Sequence, residues 1–474
     1  MRTRFVRYVV SSTNYKNSMG VRVRDDHLVG DCLDPREAVD LPAKGFRPVW
    51  ITVDVPKDAA PGRYRGTLTV KGARSPSVVF KLSLEVVPRT LPDPKGWAFF
   101  LDLWQTPWRV AMAHNVEQYS KEHYALLEPI YRDLANCGQK TITAFVTDWY
   151  LSKGDTQPRT QIRYWRWKDG RVKFDFSRFD EYVDFAKRCG LGPQIHCYTL
   201  VRFHNRPLYY YLDGETGEER EVHTRPGEPE YEAYWGPLLA AIRDHARERG
   251  WLGEVYMALD ELPADVTAAA KAVLVKYAPE LKVQSAGCQD PETFRQVDVD
   301  VFSQGIGQGE NNRIFGKAFL DEVKARRARG KVTTFYVCMF PARPNLFLES
   351  SLWEARWLGL YCAAAGFDGV LRWSHHLFGA DFLHDVSAKP YGGYEPGDWH
   401  LIYPGNRQSV RMEAFRDSIE DFEKIRVLRA EGAFTTEMEE ALAAIDHKAV
   451  TEDPASVTAE KVTRLVSLVN GEGK

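Results

Sequence analysis

The chain has 474 residues, a mass of 54.1 kDa and 63 basic against 65 acidic residues, a formal net charge of −2. That balance supplies no field for nucleic acid, no stretch approaches the roughly 18 apolar residues of a membrane span, and an apolar fraction of 44% argues against disorder in the bulk of the chain. The unusual figure is the aromatic content, 12% with 13 Trp. It suits a large core, and it also suits a site that stacks flat rings. The seven cysteines (Cys32, Cys137, Cys189, Cys197, Cys288, Cys338 and Cys362) are scattered, odd in number and never spaced CxxC. A zinc ribbon, a thioredoxin-type motif and a disulfide framework are all poorly supported.

The first residues, MRTRFVRYVVSSTNYK, are basic but lack an apolar segment long enough for a signal peptide. They open into a strand-like run at 5–10, and the natural start is expected upstream. Residues 49–56, 62–72 and 78–88 alternate polar and apolar positions with period two and are parted by Pro and Gly, which predicts a small antiparallel β-sandwich over 1–90. The segment RTLPDPKG, 89–96, reads as a linker. Beyond it, short apolar runs at 97–104, 141–148, 194–200, 255–262, 282–287, 299–305, 332–339 and 369–375 alternate with amphipathic helices that often end at Gly. Eight such strands predict an α/β fold, a (β/α)8 TIM-like barrel over 91–430, with a doubly wound sheet as the alternative. The absence of GxGxxG after a first strand counts against a dinucleotide-binding sheet. The tail over 431–474 is a helical extension.

In such a barrel the chemistry sits at the C-terminal ends of the strands. Those ends carry Asp102 and Trp104; Asp148 and Trp149; His196, Tyr198 and Arg202; Asp260 and Glu261; Gln304 with Glu310 beyond; Tyr336; and Arg372, Trp373, His375 and His376. A later loop adds Tyr394, Asp398, Trp399 and Tyr403. Carboxylates among aromatics are the profile of a carbohydrate site, because aromatics stack on apolar sugar faces and carboxylates bond hydroxyls or move protons. The sharpest feature is Asp260-Glu261, which follows VYMAL and precedes Leu262-Pro263. Two close carboxylates raise one pKa and leave a proton donor near neutral pH. The competing reading is that one of them caps the helix that follows. His375-His376 are adjacent, diverge on a regular strand and have no HExxH spacing, so no metal is expected. The basic run 324–331 reads as a solvated helix face.

VYMALDELP resembles the strand-ending acidic pair of glycoside hydrolase family 123, the β-N-acetylgalactosaminidases. IYPGNRQSVRMEAFRDSIEDFEKIRVL, 402–428, is similar to that family's closing signature, and APGRYRGTLTV resembles the β-sandwich ahead of such catalytic domains. The resemblance spans about residues 40 to 430. It implies a retaining, substrate-assisted hydrolysis in which the substrate's 2-acetamido oxygen attacks the anomeric carbon, with Asp260 orienting the acetamido N–H and Glu261 as general acid and then base. It also implies an aromatic cage for the acetamido methyl, for which Tyr336 and Trp373 are the candidates; filling of the barrel core is their other reading.

Asp102, Trp104, His196, Tyr198 and Trp399 complete the expected substrate-binding set. The bland alternatives are an arginine-paired carboxylate for Asp102 and a satisfied interior histidine for His196. No cofactor is expected. The expected partner is a glycan or glycoconjugate, with no nucleic acid and no membrane, and a homo-oligomer is left open. A place outside the cytoplasm, secreted or periplasmic, rests on the resemblance alone. Two other functions stay open: a conventional glycosidase with Asp102 or Glu310 as nucleophile, and a carbohydrate-binding protein that has lost catalysis.

Overall fold

The computed structural model describes residues 1–16, 22–73, 75–148, 160–287, 299–305, 317–379 and 395–471. Trp149, Cys288, Glu310 and Tyr394 lie outside them. The N-terminal region forms two separate antiparallel sheets. Strands β1 (Arg2–Lys16), β2 (Arg22–Asp34) and β3 (Val49–Thr52) pair in the order β2-β1-β3, and β4 (Gly62–Gly72) and β5 (Ser75–Val86) form a hairpin. In the hairpin Tyr64 faces Leu84, Leu68 faces Phe80 and Val70 faces Val78, so period two collects the apolar residues on one side. That side is uncovered among the described residues, with Phe80 52% exposed.

The barrel follows the linker. Its strands are β6 (Phe100–Leu103) and β7 (Thr141–Phe145); then, after a pair β8 (Arg163–Arg166) and β9 (Val172–Asp175), β10 (Gln194–Tyr198). Two more short strands, β11 (Tyr209–Asp213) and β12 (Glu219–Val222), precede β13 (Val255–Asp260), β14 (Lys282–Gly287), β15 (Val301–Gly305), β16 (Val332–Val337) and β17 (Gly369–Arg372). The eight barrel strands are parallel, in the order β6-β17-β16-β15-β14-β13-β10-β7. Each falls within an apolar run expected to be a strand. Strands such as β7 and β13 are buried along their whole length, as strands covered on both faces must be.

The seam between β6 and β7 closes the cylinder by another device. Lys140 N–H donates to Leu101 O at 2.9 Å, and beyond that point side-chain amides replace the ladder. Gln139 accepts from Leu103 N–H (3.0 Å) and donates to Leu103 O (3.1 Å), while Gln105 accepts from Thr143 N–H (2.8 Å). β8, β9, β11 and β12, inserted after β7 and β10, make a four-stranded sheet of order β12-β11-β8-β9 on the C-terminal side of the barrel; the sequence analysis had not separated it from the loops. The helix Leu352–Ala365 crosses the helix Val410–Ala430 closely enough that a Cβ on Gly359 would lie 2.3 Å from Ser418 O, so only glycine fits there. One continuous apolar core unites the barrel with the C-terminal helices. Among the described residues no helix is long and apolar enough to cross a membrane.

Candidate active site at the barrel mouth

Asp260 is the last residue of β13 and is only 4% exposed. Glu261 continues the ladder for one more bond, its N–H donating to Ala286 O at 2.8 Å. The backbone of Glu261 then turns left-handed, with φ +51. A side chain there costs of order 1–3 kcal/mol, and such outliers gather at functional sites. The turn breaks the alternation that would send neighbouring side chains to opposite faces. Glu261 thereby reaches Tyr336, whose hydroxyl donates to Glu261 Oε1 at 3.1 Å. The next residue, Leu262, is buried and pins the turn. The helix Ala264–Tyr277 begins after Pro263 with no side-chain cap, so neither acid serves the capping role.

Glu261 keeps solvent-facing surface, yet the protein crowded around it limits its hydration, and this raises its pKa above the ordinary glutamate range. The Tyr336 hydroxyl and the nearby charge of His204 partly offset the rise. A second acid shares the mouth. Asp398 is fully buried and its pKa is pushed up to about 6, first by burial, against the opposing charge of Arg372 and the Trp373 indole N–H, and further by the charges of Glu395 and Glu261. Arg372 Nη2 donates to Asp398 Oδ1 at 3.0 Å. The indole N–H of Trp373 acts on the Asp398 carboxylate as a hydrogen-bond donor and lowers its pKa. The charge of Glu261 is the smallest of the influences on Asp398, and the rise at Glu261 comes from burial.

The aromatics form a contiguous wall. Trp104 meets Tyr198 edge to face at 4.9 Å and Tyr336 at 6.2 Å between ring centres. The Tyr198 hydroxyl donates to Gln284 Oε1 at 3.4 Å. Trp373 follows β17 directly. Trp399, wholly buried like Tyr198 and Trp104, has a carbonyl that accepts from Ser374 Oγ (2.7 Å) and Leu377 N–H (3.1 Å).

Asp102 and His196 belong to a different cluster, within the lower barrel. Thr141 Oγ1 donates to Asp102 Oδ1 at 2.6 Å, His196 Nδ1 lies 3.5 Å from Asp102 Oδ2, and His196 Nε2 meets Gln194 Oε1 at 2.9 Å. Both residues have no exposed surface. Their partners are a threonine, a glutamine and each other, not the arginine weighed for Asp102. Asp148 is taken up by Arg202, which reaches its Oδ2 at 3.1 Å and its carbonyl at 2.9 Å. His375 and His376 do not diverge: past the strand end their Nδ1 atoms approach to 2.9 Å, and His376 Nε2 accepts from Thr106 N–H at 3.1 Å. Among the described residues no three His, Cys, Asp or Glu side chains gather as metal ligands would.

The structure thus brings Asp260, Glu261, Tyr336, Trp104, Tyr198 and Trp373 to one end of the barrel, buries Trp399 and separates Asp102 and His196 below. The sequence reading passed over the Arg372–Asp398 pair as a unit. Its members stand 26 residues apart, on a strand and a loop, and no periodicity links them.

Comparison with known proteins gives matches over most of the chain. A family model described as the glycoside hydrolase 123 catalytic domain matches residues 104–428, and one described as the glycoside hydrolase 123 N-terminal domain matches residues 1–72. A solved family 123 glycoside hydrolase from Clostridium perfringens, described in connection with glycolipid glycan hydrolysis, superposes with a TM-score of 0.85 at 21% identity. The match covers 99% of this chain and 85% of that one. A β-galactosidase from Marinomonas ef1 reaches a TM-score of only 0.42 at 11% identity, over 70% of this chain and 60% of its own. A family 10 xylanase with a bacterial Ig-like domain, from termite gut, reaches 0.39 at 10%, over 77% and 87%. No curated protein matches the chain.

Proposed function

The chain belongs to glycoside hydrolase family 123, and from that premise we propose that it releases terminal β-linked N-acetylgalactosamine with retention, using the substrate's own acetamido group as nucleophile. The observation that carries this reading is the adjacent pair at the end of β13: a buried Asp260 followed by a Glu261 whose left-handed turn, bond to Tyr336 and raised pKa suit a proton donor. In the first step the acetamido oxygen bonds to the anomeric carbon while the glycosidic C–O bond breaks. Glu261 gives its proton to the departing oxygen, and Asp260 holds the acetamido N–H of the resulting oxazolinium. In the second step Glu261 takes a proton from water as the water attacks the anomeric carbon, the ring opens and the acetamide is restored. Tyr336 keeps Glu261 in place, and Trp373 and Trp104 offer apolar faces to the sugar.

Within this reading the barrel of 91–430 is the catalytic unit, 1–90 a region of antiparallel sheets ahead of it and 431–474 a helical extension. A glycolipid glycan is the favoured substrate class, by analogy with the C. perfringens structure. The conventional alternative needs a second carboxylate at the mouth. Asp102, held by Thr141 in the lower barrel, is poorly placed for that. Aryl β-glycosides with and without a 2-acetamido group test the proposal. Turnover confined to the acetamido sugars, with inhibition by a thiazoline mimic, supports it. A fluorinated glycoside that leaves sugar covalently on the protein would overturn it.

A further inference from the structure

Arg411, in the first turn of the helix Val410–Ala430, is 2% exposed and uses its whole guanidinium. Nε and Nη2 donate to the two oxygens of Asp31, at 3.0 and 2.9 Å. Nη1 donates to three carbonyls: Leu346 (2.6 Å), Gly397 (3.2 Å) and His400 (3.1 Å). Asp31 lies on β2 of the N-terminal sheet and also accepts from the Tyr403 hydroxyl at 2.6 Å. The approach to Gly397 is so close that a Cβ there would stand 2.9 Å from Arg411 Nη1 and 2.6 Å from Leu348 N. The Gly397 carbonyl also accepts from Arg372 at 3.1 Å, the arginine that holds Asp398. Two buried guanidiniums therefore clamp the segment 397–400, which carries Asp398 and Trp399, and the charge of one of them is balanced from outside the barrel.

We propose that Asp31 is a positioning residue for the catalytic acid: by anchoring the Arg411 fork it fixes the segment 397–400, and with it the carboxylate of Asp398 that shares the mouth with Glu261. The inference rests on Glu261 being the acid of the proposed function. The charged and titratable groups around Asp398 among the described residues are Arg372, Arg411, Glu395, Glu261, Cys338, Tyr336 and His400, the last buried against both arginines. None of them except Arg411 reaches the N-terminal sheet through a bond described above. A carboxylate fork and a guanidinium fork match in plane and spacing, which lysine cannot reproduce.

A second bridge between the same sheet and the same helix supplies the control. Arg4 meets Glu413 Oε1 at 2.9 Å, and Thr52 donates to Glu413 Oε2 at 3.0 Å, with no tie to the segment 397–400. The test compares D31N, R411K and the neutral pair D31N/R411M with R4M in the full chain. It uses the aryl β-glycoside that the unaltered protein cleaves fastest and records kcat, KM and the pH profile beside Tm. Positioning predicts that D31N and R411K lower kcat about 10- to 100-fold, with KM little changed and the basic limb of the profile displaced, while R4M lowers Tm and leaves kcat and profile alone. Should D31N fail to fold, R411K and the neutral pair decide, since each keeps the buried charges balanced or removes both. A folded R411K or D31N/R411M with unaltered kcat and pH profile overturns the proposal, leaving the contact as an inter-sheet tie only. E261Q run alongside separates the two claims: an active E261Q defeats the catalytic reading itself.

Discussion

The barrel holds two polar clusters of similar composition and opposite character. At the floor, Asp102, His196, Thr141 and Gln194 lie shut in and contact one another through their side chains. At the mouth, Asp260 and Glu261 end a strand on a strained turn, and burial raises the pKa of Glu261 and of Asp398. Each cluster contains carboxylates at strand positions that a sequence reading marks as candidates. What separates them is height along the strand: Asp102 precedes the end of β6, whereas Glu261 passes the end of β13. A carboxylate sealed inside the barrel contributes to the fold, and one whose pKa is raised at an opening is available for proton transfer.

The comparison can be broken most forcefully at Glu261. E261Q removes the proposed proton donor and should lower kcat by about 10³-fold, with Tm unchanged within error; full activity would move the chemistry elsewhere. D260N should cost about 10²-fold, and the loss should appear on acetamido substrates in particular. D398N sharpens the contrast through pH. Two neighbouring acids disfavour their joint ionisation, so removing one charge lets the remaining acid ionise earlier. The basic limb of kcat/KM should therefore shift to lower pH; a shift to higher pH, or none, would show that Asp398 does not feel Glu261. D102N, at the floor, should cost about 1–3 kcal/mol of stability and leave kcat within about twofold of the unaltered enzyme once folded protein is counted. A large kcat loss in D102N would erase the distinction between the clusters. The smallest effect belongs outside the barrel: F80S on the uncovered side of the hairpin should change stability by less than about 0.5 kcal/mol, and a large loss would reveal a partner surface there.

The contrast also shows what the sequence could carry. The barrel strands were legible because runs such as VYMAL are apolar at every position and bounded by turn residues. The acidic pair was legible because it sits where such a run stops. The closing signature was legible as a pattern, but its physical meaning was not: Arg411 reaches Asp31, Glu413 reaches Arg4, Asp421 receives Arg356 and Glu423 receives the Phe99 N–H. Those partners lie 65 to 409 residues away, beyond any local periodicity. The strands β4 and β5 show the opposite failure. Their alternation predicts a hairpin correctly, yet alternation says only which side is apolar and nothing about what covers it.

The glutamine seam has a consequence for motion. Most ladder amides of the barrel are released only by parting two strands, whereas at Leu103 and Thr143 the acceptor is the end of a single uncharged side chain; Val283 and Thr333 are likewise held by side chains, the carboxylates of Asp300 and Asp368. One rotamer swing of Gln139 or Gln105 frees the Leu103 or Thr143 proton, so in deuterated solvent these two should exchange ahead of their neighbours, and the cylinder should begin to open along this line.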